Sequence, residues 1–299
     1  MVLVGTTASG KSDIAVAVAS ARRGVEIVSV DSMSVYRGMD IATAKPSTSD
    51  RRAVRHHLVD LVDPAEEFTV SMFQRAARDA LVDISARRRR ALLVGGTGLY
   101  VAAVVDDLTL PGRWPEVRRA LEAEADEAGG CATLYGRLAE LDPEAAARTT
   151  PENRRRIVRA LEVTIGSGRP FSSFGPGLEA YGPTRFDQVG IRFDPARVDT
   201  RIEERFAHWM DAGLLDEVRA LAARPAGLSR TARQALGYRE LLEHLEGRVP
   251  LVEAVERAIQ RTRAFARRQW AWFRRDPRIS WVGDDEDPSE VRGAALDGP

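Results

Sequence analysis

Cysteine and lysine are both scarce in this 299-residue chain. Its single cysteine, Cys131, excludes an internal disulfide bond and leaves no cysteine cluster for zinc, which suits a reducing compartment. No apolar run approaches the roughly 20 residues of a membrane span. Segment 11–21 is too short for a signal peptide, so we expect a cytoplasmic protein. Because the formal net charge is +0, nucleic-acid binding would depend on local basic clusters.

Of the 44 basic residues, only Lys11 and Lys45 are lysines. In a chain so biased to arginine, a retained lysine indicates a position that needs a compact ammonium group. Lys11 belongs to a phosphate-binding pattern, G-x-x-x-x-G-K-[ST], between an apolar run (1–4) and a helix-like stretch (14–21). This segment, here called the glycine loop, consists of Gly5, Thr6, Thr7, Ala8, Ser9, Gly10, Lys11 and Ser12. It predicts a phosphate site built from backbone N–H groups, a helix start and Lys11, with a divalent metal at Ser12.

Strands alternate with helices in the first part of the chain. The β-branched run 25–30 predicts a strand that ends at Asp31, and the run 91–94 predicts another that enters Gly95-Gly96-Thr97. This alternation indicates an α/β fold, a parallel sheet with helices on both faces. Ligands bind beyond the carboxyl ends of such strands, so the glycine loop, Asp31 and segment 95–100 are expected to converge on one site.

The middle of the chain differs in character from both ends. Segment 111–184 is charged, helical in pattern and without a predicted strand, and it ends in a Gly/Pro/Ser-rich stretch. We therefore predict an all-helical insertion domain at 111–184 within a core domain made of 1–110 and 185–299. The core resumes with a strand and four helices before a last strand. The predicted ranges are 186–193, 198–210, 214–223, 232–246, 251–274 and 279–282.

Two polar residues follow predicted strands and leave alternatives open. Many P-loop hydrolases and kinases hold their metal with an aspartate after a buried strand, but here strand 91–94 runs into Gly-Gly-Thr. Asp31 is the carboxylate available instead, and it could hold a metal, accept a proton from a nucleophile or cap a loop. Thr97 could donate to a phosphate oxygen or only shape the turn.

Basic residues cluster in two places. Arg154, Arg155, Arg156 and Arg159 form one cluster in the insertion, and the last long helix interleaves arginines with aromatic residues. Arginine beside aromatics suits contact with RNA phosphates and bases. The alternative is an amphipathic helix with its aromatics in the core, which we favour for Trp272 and Phe273. We interpret the pair His56-His57 as structural, because no carboxylate spacing around it suggests a metal site.

Several motifs together resemble the tRNA dimethylallyltransferases. They are G-T-T-A-S-G-K-S, D-S-M-S-V-Y-R-G-M-D-I-A-T-A-K-P, G-G-T-G-L-Y, E-N-R-R-R-I-V-R-A-L-E-V, A-L-G-Y-R-E and R-R-Q-W-A-W-F-R, in that order from residue 5 to residue 274. The resemblance as a whole spans about residues 2–282. Thr6 stands where the family usually has proline and Ala42 where it usually has glycine. Neither position supplies a catalytic side chain.

The resemblance implies a P-loop NTPase-like core and a specific reaction. The family transfers a dimethylallyl group from dimethylallyl diphosphate to N6 of adenosine 37, in tRNAs that read codons beginning with U. By resemblance, the glycine loop and a Mg²⁺ ion at Ser12 hold the leaving diphosphate, helped by Thr97 and by Arg205, which we prefer over Arg201. Asp31 takes the proton from the adenine amino group. The catalytic residues expected are thus Asp31, Lys11, Thr97 and Arg205.

The partner implied by the resemblance is the tRNA anticodon stem-loop, bound by a monomer. The expected tRNA-contacting residues are Asp31, Ser32, Met33, Ser34, Arg155, Arg156, Arg159, Gln234, Gly237, Arg239, Arg267, Arg268 and Arg274. The alternatives are a transferase that prenylates free adenine nucleotides, a P-loop small-molecule kinase and a nucleotide-gated RNA-binding protein. The insertion and the arginine-rich last helix favour tRNA over a free nucleotide.

Overall fold

The computed structural model describes residues 1–283, and the end of the predicted core domain, 284–299, lies outside the described residues. The chain forms two compact units. The core unit is Met1–Asp106 together with the chain from Tyr181 onward, and the inserted unit is Asp107–Ala180. The predicted insertion, 111–184, begins and ends four residues later than the inserted unit (111 against 107, 184 against 180).

A parallel sheet forms the centre of the core unit, with six strands among the described residues in the order β3-β2-β4-β1-β5-β6. The strands are β1 (Val2–Val4), β2 (Val25–Val30), β3 (His56–His57), β4 (Arg90–Gly95), β5 (Gln188–Ile191) and β6 (Ile279–Val282). The four inner strands, β1, β2, β4 and β5, consist mainly of β-branched and other apolar residues and are largely buried, as expected for a sheet covered on both faces.

Helices connect and cover these strands. In the core unit they are α1 (Lys11–Ala21), α2 (Thr48–Ala53), α3 (Val70–Ala86), α4 (Gly98–Val105), α9 (Pro195–Asp211), α10 (Leu214–Ala222), α11 (Tyr238–Leu245) and α12 (Leu251–Phe273). Two hydrophobic clusters contain the sheet residues, one with Val4, Val30 and Phe73 and the other with Leu3, Ala15 and Ile191. The α/β class predicted from the sequence is confirmed.

The inserted unit has its own hydrophobic core. Its helices are α5 (Pro115–Asp126), α6 (Gly130–Leu141), α7 (Pro143–Ala147) and α8 (Arg154–Ser167). Leu134, Leu138, Ile157 and Leu161 are fully buried against one another at helical spacing. The buried carboxylate of Glu162 accepts the N–H of Trp114 at 3.0 Å and pairs with Arg159 at 2.9 Å.

The strand register brings three loops to one edge of the sheet. Val4 of β1 and Val30 of β2 both lie level with Gly95 of β4. Since the strands are parallel, the glycine loop after β1, Asp31 after β2 and Thr97 after β4 leave from the same edge.

The structure departs from the sequence prediction at several elements, among them one helix and two strands. The helix predicted at 232–246 is interrupted, because Gly237 has φ 83° and begins α11 after a short 3₁₀ turn at Ala232–Gln234. The strand predicted at 186–193 is limited to β5. His56 and His57 form the edge strand β3, where His57 Nε2 lies 2.7 Å from a carboxylate oxygen of Glu26.

Two further observations concern the described residues alone. None of their helices combines the length and apolar character needed to cross a membrane. They also contain no group of three or more histidine, cysteine or acidic side chains able to bind a metal.

Candidate active site

The glycine loop has the tight backbone that its sequence predicts. Ala8 and Gly10 both have positive φ, 60° and 83°, so the chain turns sharply before α1 begins at Lys11. A Cβ at Gly5 would lie 2.8 Å from Ser9 Oγ, so a larger residue at position 5 would displace the Ser9 side chain. The hydroxyls of Thr6 and Ser9 are buried and have no hydrogen-bond partner among the described residues. Unpaired buried hydroxyls are costly, and their presence fits a loop that binds a polar ligand.

Lys11 is held against this loop with little compensating charge. Its Nζ donates to the Thr6 carbonyl at 3.1 Å. Burial lowers the pKa of Lys11 to about 8; the charge of Asp31 opposes this shift and that of Arg205 adds to it. An ammonium group so short of negative charge favours an anionic ligand.

Asp31 is held in place by the turn that follows it. Its Oδ1 accepts the N–H groups of Met33 and Ser34 at 2.7 and 3.1 Å, and Oδ2 takes part in neither bond. The loop-capping role left open by the sequence is therefore present, and it orients the carboxylate. Ser34 is only 3% exposed, and its Oγ lies 3.1 Å from Ser29 Oγ, whereas Ser32 and Met33 are partly exposed.

Thr97 stands at the start of α4 beside two glycines. It is the N-cap residue, yet its side chain makes no capping hydrogen bond within the described residues. The hydroxyl can therefore face a ligand at the helix N-terminus. Gly95, the last residue of β4, precedes this turn. A Cβ at Gly95 would lie 2.2 Å from the Val30 carbonyl, so the end of β4 can lie this close to β2 only because residue 95 is glycine.

Arg205 reaches the glycine loop from α9. It lines a cavity of about 660 Å³ together with Ala8, Ser9, Gly10 and Arg201. Burial lowers the pKa of Arg205, Asp13 opposes this effect and Arg201 adds to it. Arg205 is partly buried with its guanidinium 5.8 Å from the Trp209 ring centroid, while Arg201 is exposed. These observations support Arg205 as the more fixed of the two arginines.

The same cavity does not include the whole site. Lys11, Asp31 and Thr97 are absent from its described lining, which otherwise consists largely of apolar residues of β1, α1 and β5. The cavity therefore borders the loop on the side of Arg205, while Asp31 acts on Lys11 from outside it.

The residues expected to bind tRNA lie on both units. In the core unit, Gln234 and Arg239 line a second cavity of about 270 Å³, with Arg239 donating to Gln234 at 3.2 Å. Gly237 provides the turn between them. Arg267 and Arg268 are exposed on α12, Arg274 is exposed directly after that helix, and Arg267 pairs with Asp199 at 3.4 Å.

In the inserted unit, Arg155 and Arg156 are exposed on α8. Arg159 lies on the inner side of that helix and donates to the carbonyls of Pro111 and Gly112 at 2.9 and 3.0 Å. Its guanidinium is thus already engaged in holding the unit together. Its contact with tRNA was predicted from the sequence and no observation tests it, but these bonds lead us to expect a structural role for Arg159 instead.

Sequence reasoning missed the roles of two polar residues with buried side chains, one at the site and one in the loop that follows Asp31. Gln269 of α12 contacts both the glycine loop and Gly96, although it lies inside the recognised R-R-Q-W motif. Lys45 was noted as a retained lysine without a role. Its side chain is 2% exposed, and Nζ donates to the Tyr36 carbonyl, Asp40 and Asp60 at 2.5–2.6 Å.

Comparisons with known proteins agree with this geometry. The sequence profile of the family described as IPP transferase matches residues 34–276. A tRNA dimethylallyltransferase of Nocardioides sp. is 46% identical over 302 residues, covering 99% of this chain and 96% of that relative. A solved full-length tRNA isopentenylpyrophosphate transferase of Bacillus halodurans is 36% identical with a TM-score of 0.68, covering 95% and 89% of the two chains.

A solved eukaryotic dimethylallyltransferase acting on tRNA has a TM-score of 0.77 at 24% identity, covering 99% of this chain and 76% of its own, and so shows the shared fold. The family profile spans most of this chain, and the Nocardioides relative matches nearly all of it. The chain therefore belongs to the IPP transferase family, whose relatives described above are tRNA prenyltransferases.

Proposed function

We propose that this protein transfers a dimethylallyl group from dimethylallyl diphosphate to N6 of adenosine 37 in tRNAs that read codons beginning with U. The observation that carries the proposal is the convergence of the glycine loop, Asp31 and Thr97 at one sheet edge, with Lys11 held against the loop. A cationic phosphate site and an oriented carboxylate are what this transfer requires.

On the donor side, the chain's own residues bind the diphosphate and stabilise it as it leaves. Lys11 supplies charge, the N-terminus of α1 supplies backbone N–H groups, and Thr97 and Arg205 approach from two other elements. Ser12, whose side chain is exposed in the first turn of α1, is the residue that would hold a Mg²⁺ ion, through its hydroxyl. When bound, such an ion would neutralise charge on the departing diphosphate.

On the acceptor side, Asp31 prepares a weak nucleophile. The bond from the allylic carbon to the diphosphate oxygen breaks, with its electron pair leaving on the diphosphate. The N6–carbon bond forms, and the N6 proton passes to Asp31. Oδ1 remains bonded to Met33 and Ser34, so Oδ2 is the oxygen placed to take the proton.

The tRNA side of the proposal depends on exposed arginines. Arg155, Arg156, Arg267, Arg268 and Arg274 suit phosphates of the anticodon stem-loop, and adenosine 37 must leave its stack to reach the site. We further propose that the protein is cytoplasmic and acts as a monomer. Light scattering of the purified protein with and without tRNA would test the oligomeric state, and fractionation of cells would test the localisation.

The test follows a label from the donor. The protein is incubated with Mg²⁺, labelled dimethylallyl diphosphate and either tRNA, the same tRNA lacking adenosine 37, or AMP. We expect label only in the intact tRNA, and loss of transfer in Lys11→Met. Label in AMP would indicate the free-nucleotide alternative. In a parallel incubation with labelled ATP in place of the donor, consumption of the ATP, together with no prenyl transfer in the first incubation, would indicate a kinase.

A further inference from the structure

One buried glutamine, Gln269, joins the two turns proposed to bind phosphate, which are the glycine loop and the turn that carries Thr97. The Oε1 atom of Gln269 accepts the Thr7 N–H at 2.8 Å, and its Nε2 atom donates to the Gly96 carbonyl at 2.8 Å. The residue is 6% exposed and belongs to α12, far from both turns in sequence. Both ends of a single side-chain amide are thereby used, one on each turn.

The chemistry of the two partners defines which way the amide points. A backbone N–H can only donate and a carbonyl can only accept, so Oε1 must face Thr7 and Nε2 must face Gly96. A leucine of similar size would make neither bond. An ionised glutamate would keep the first bond and place a second acceptor against the Gly96 carbonyl.

Gly96 and Gly98, on either side of Thr97, allow α12 to pack closely against the turn that carries Thr97. A Cβ at residue 96 would lie 2.4 Å from Gln269 Nε2, and one at residue 98 would lie 2.5 Å from the Trp272 ring. Gln269 and Trp272 are three residues apart and so share one face of the helix. That face presses on the turn that carries Thr97.

The bridge also changes which part of the glycine loop can bind phosphate. The N–H of Thr7 donates to Gln269, so it does not belong to the set of backbone N–H groups that face the anion. The N–H groups that remain for the ligand belong to the later part of the loop, next to Lys11.

We propose that Gln269 is a positioning residue that fixes the distance between the glycine loop and Thr97, so that both grip the same diphosphate. This inference rests on the proposed function, since it assigns the shared ligand as the donor diphosphate. Arg267 and Arg268, proposed to bind tRNA, directly precede Gln269 on α12. One helix therefore links the tRNA surface to the donor site.

The experiment measures pyrophosphate binding in Gln269→Leu and in Gln260→Leu. Gln260 is an exposed glutamine on the same helix, so Gln260→Leu is a matched control. We expect Gln269→Leu to weaken pyrophosphate binding and raise the donor KM about 10- to 100-fold. Its tRNA Kd should stay within about twofold of the control, since the arginines are retained.

The variant Gln269→Glu distinguishes a positioning role from a purely structural one, through the pH dependence of pyrophosphate binding. A protonated glutamic acid can donate to the Gly96 carbonyl as the amide does, whereas the ionised form cannot. We expect the pyrophosphate affinity of Gln269→Glu, relative to the wild type at the same pH, to recover as the pH falls from 8 to about 5.

Equal pyrophosphate affinity in Gln269→Leu and Gln260→Leu would overturn the inference. So would a parallel loss of pyrophosphate and tRNA binding together with a large fall in Tm, which would indicate a residue needed only for folding. A wild type that binds pyrophosphate but prenylates no tRNA would contradict the proposed function while leaving the bridge testable by binding. A wild type that binds no pyrophosphate would contradict both.

Discussion

At the scale of single residues, the site combines Lys11, which forms no ion pair within the described residues, with a carboxylate that is held through one of its two oxygens. Lys11 contacts a loop carbonyl, and Asp31 uses Oδ1 to cap its own turn. The sequence left open whether Asp31 caps a loop or accepts a proton. The structure shows the capping bonds, and these bonds are compatible with the catalytic role because they occupy only one oxygen.

Asp31→Asn is expected to lower the prenylation rate about 10²- to 10⁴-fold, because the amide cannot accept the N6 proton. The asparagine oxygen can still accept from Met33 and Ser34, so the turn and the tRNA Kd should be nearly unchanged. Single-turnover kinetics and a tRNA binding titration check this, with the exposed Asp79→Asn as control. A fully active Asp31→Asn protein would remove Asp31 as the base.

The lowered pKa of Lys11 predicts a pH dependence of donor binding. With its pKa at about 8, the free protein loses the ammonium charge above pH 8. After correction for the ionisation of pyrophosphate itself, its Kd should therefore be flat near pH 7 and rise by up to roughly tenfold per pH unit above 8. Calorimetry in buffers of different ionisation enthalpy should show proton uptake on binding near pH 8.

The lowered pKa of Lys11 also makes the free energy of unfolding depend on pH. The unfolded lysine holds its proton up to about 10.5, so between pH 8 and 10.5 the unfolded chain binds more protons than the folded one. The contribution of Lys11 to the free energy of unfolding therefore rises with pH in that window. A donor Kd independent of pH from 7 to 9.5 would contradict this account of Lys11.

At the scale of elements, the segment after Asp31 is an ordered loop held from two sides. Lys45 donates to three oxygens that converge from Tyr36, Asp40 and Asp60. Glu217 of α10 accepts the N–H groups of Asp40 and Ile41 at 3.1–3.2 Å, and burial raises its pKa. A compact ammonium suits three converging acceptors better than a planar guanidinium does, which explains why lysine is retained here.

Lys45→Met is expected to lower the free energy of unfolding by about 2 kcal/mol. The loss is not larger because the carboxylates of Asp40 and Asp60 are partly exposed and water can solvate them. Lys45→Arg should lower it by about 1–2 kcal/mol, as the fork cannot meet all three oxygens. Urea denaturation checks both values against Arg52→Lys, an exposed exchange on α2 expected to change stability by less than about 0.5 kcal/mol. Wild-type stability in Lys45→Arg would show that the ammonium geometry is not required.

Element boundaries were predictable where the pattern was local. The strand at 25–30 and the last strand at 279–282 were predicted with the bounds observed. The helix predicted at 232–246 was wrong as one piece, because its apolar spacing continues through Gly237 while the backbone does not. The two-residue strand β3 has no sequence pattern of its own, since it exists only by pairing with β2.

At the scale of the whole molecule, a chain of zero net charge carries separate exposed arginines on both of its units. If about five of them meet tRNA phosphates, log K should fall with log salt concentration with a slope of about −4. Arg156→Ala should reduce that slope by about one. Arg159→Ala should leave it unchanged and lower thermal stability instead, because Arg159 holds two carbonyls of its own unit.

Filter binding or fluorescence titration at four salt concentrations measures these slopes. Equal effects of Arg156→Ala and Arg159→Ala on the slope would contradict the distinction drawn from their exposure. A binding constant independent of salt would contradict the arginine surface altogether.

The sequence by itself determined the glycine loop, the strands that deliver Asp31 and Thr97, and the class of ligand, because these depend on short segments and their local geometry. It also determined the family, through motifs in matching order. Only the tertiary structure decided that Arg159 turns inward, that Lys45 ties a loop and that Gln269 bridges two turns. Gln269 lies 262 residues from Thr7 and 173 from Gly96, and contacts over such separations arise from the packing of α12 on the sheet, which no local pattern encodes.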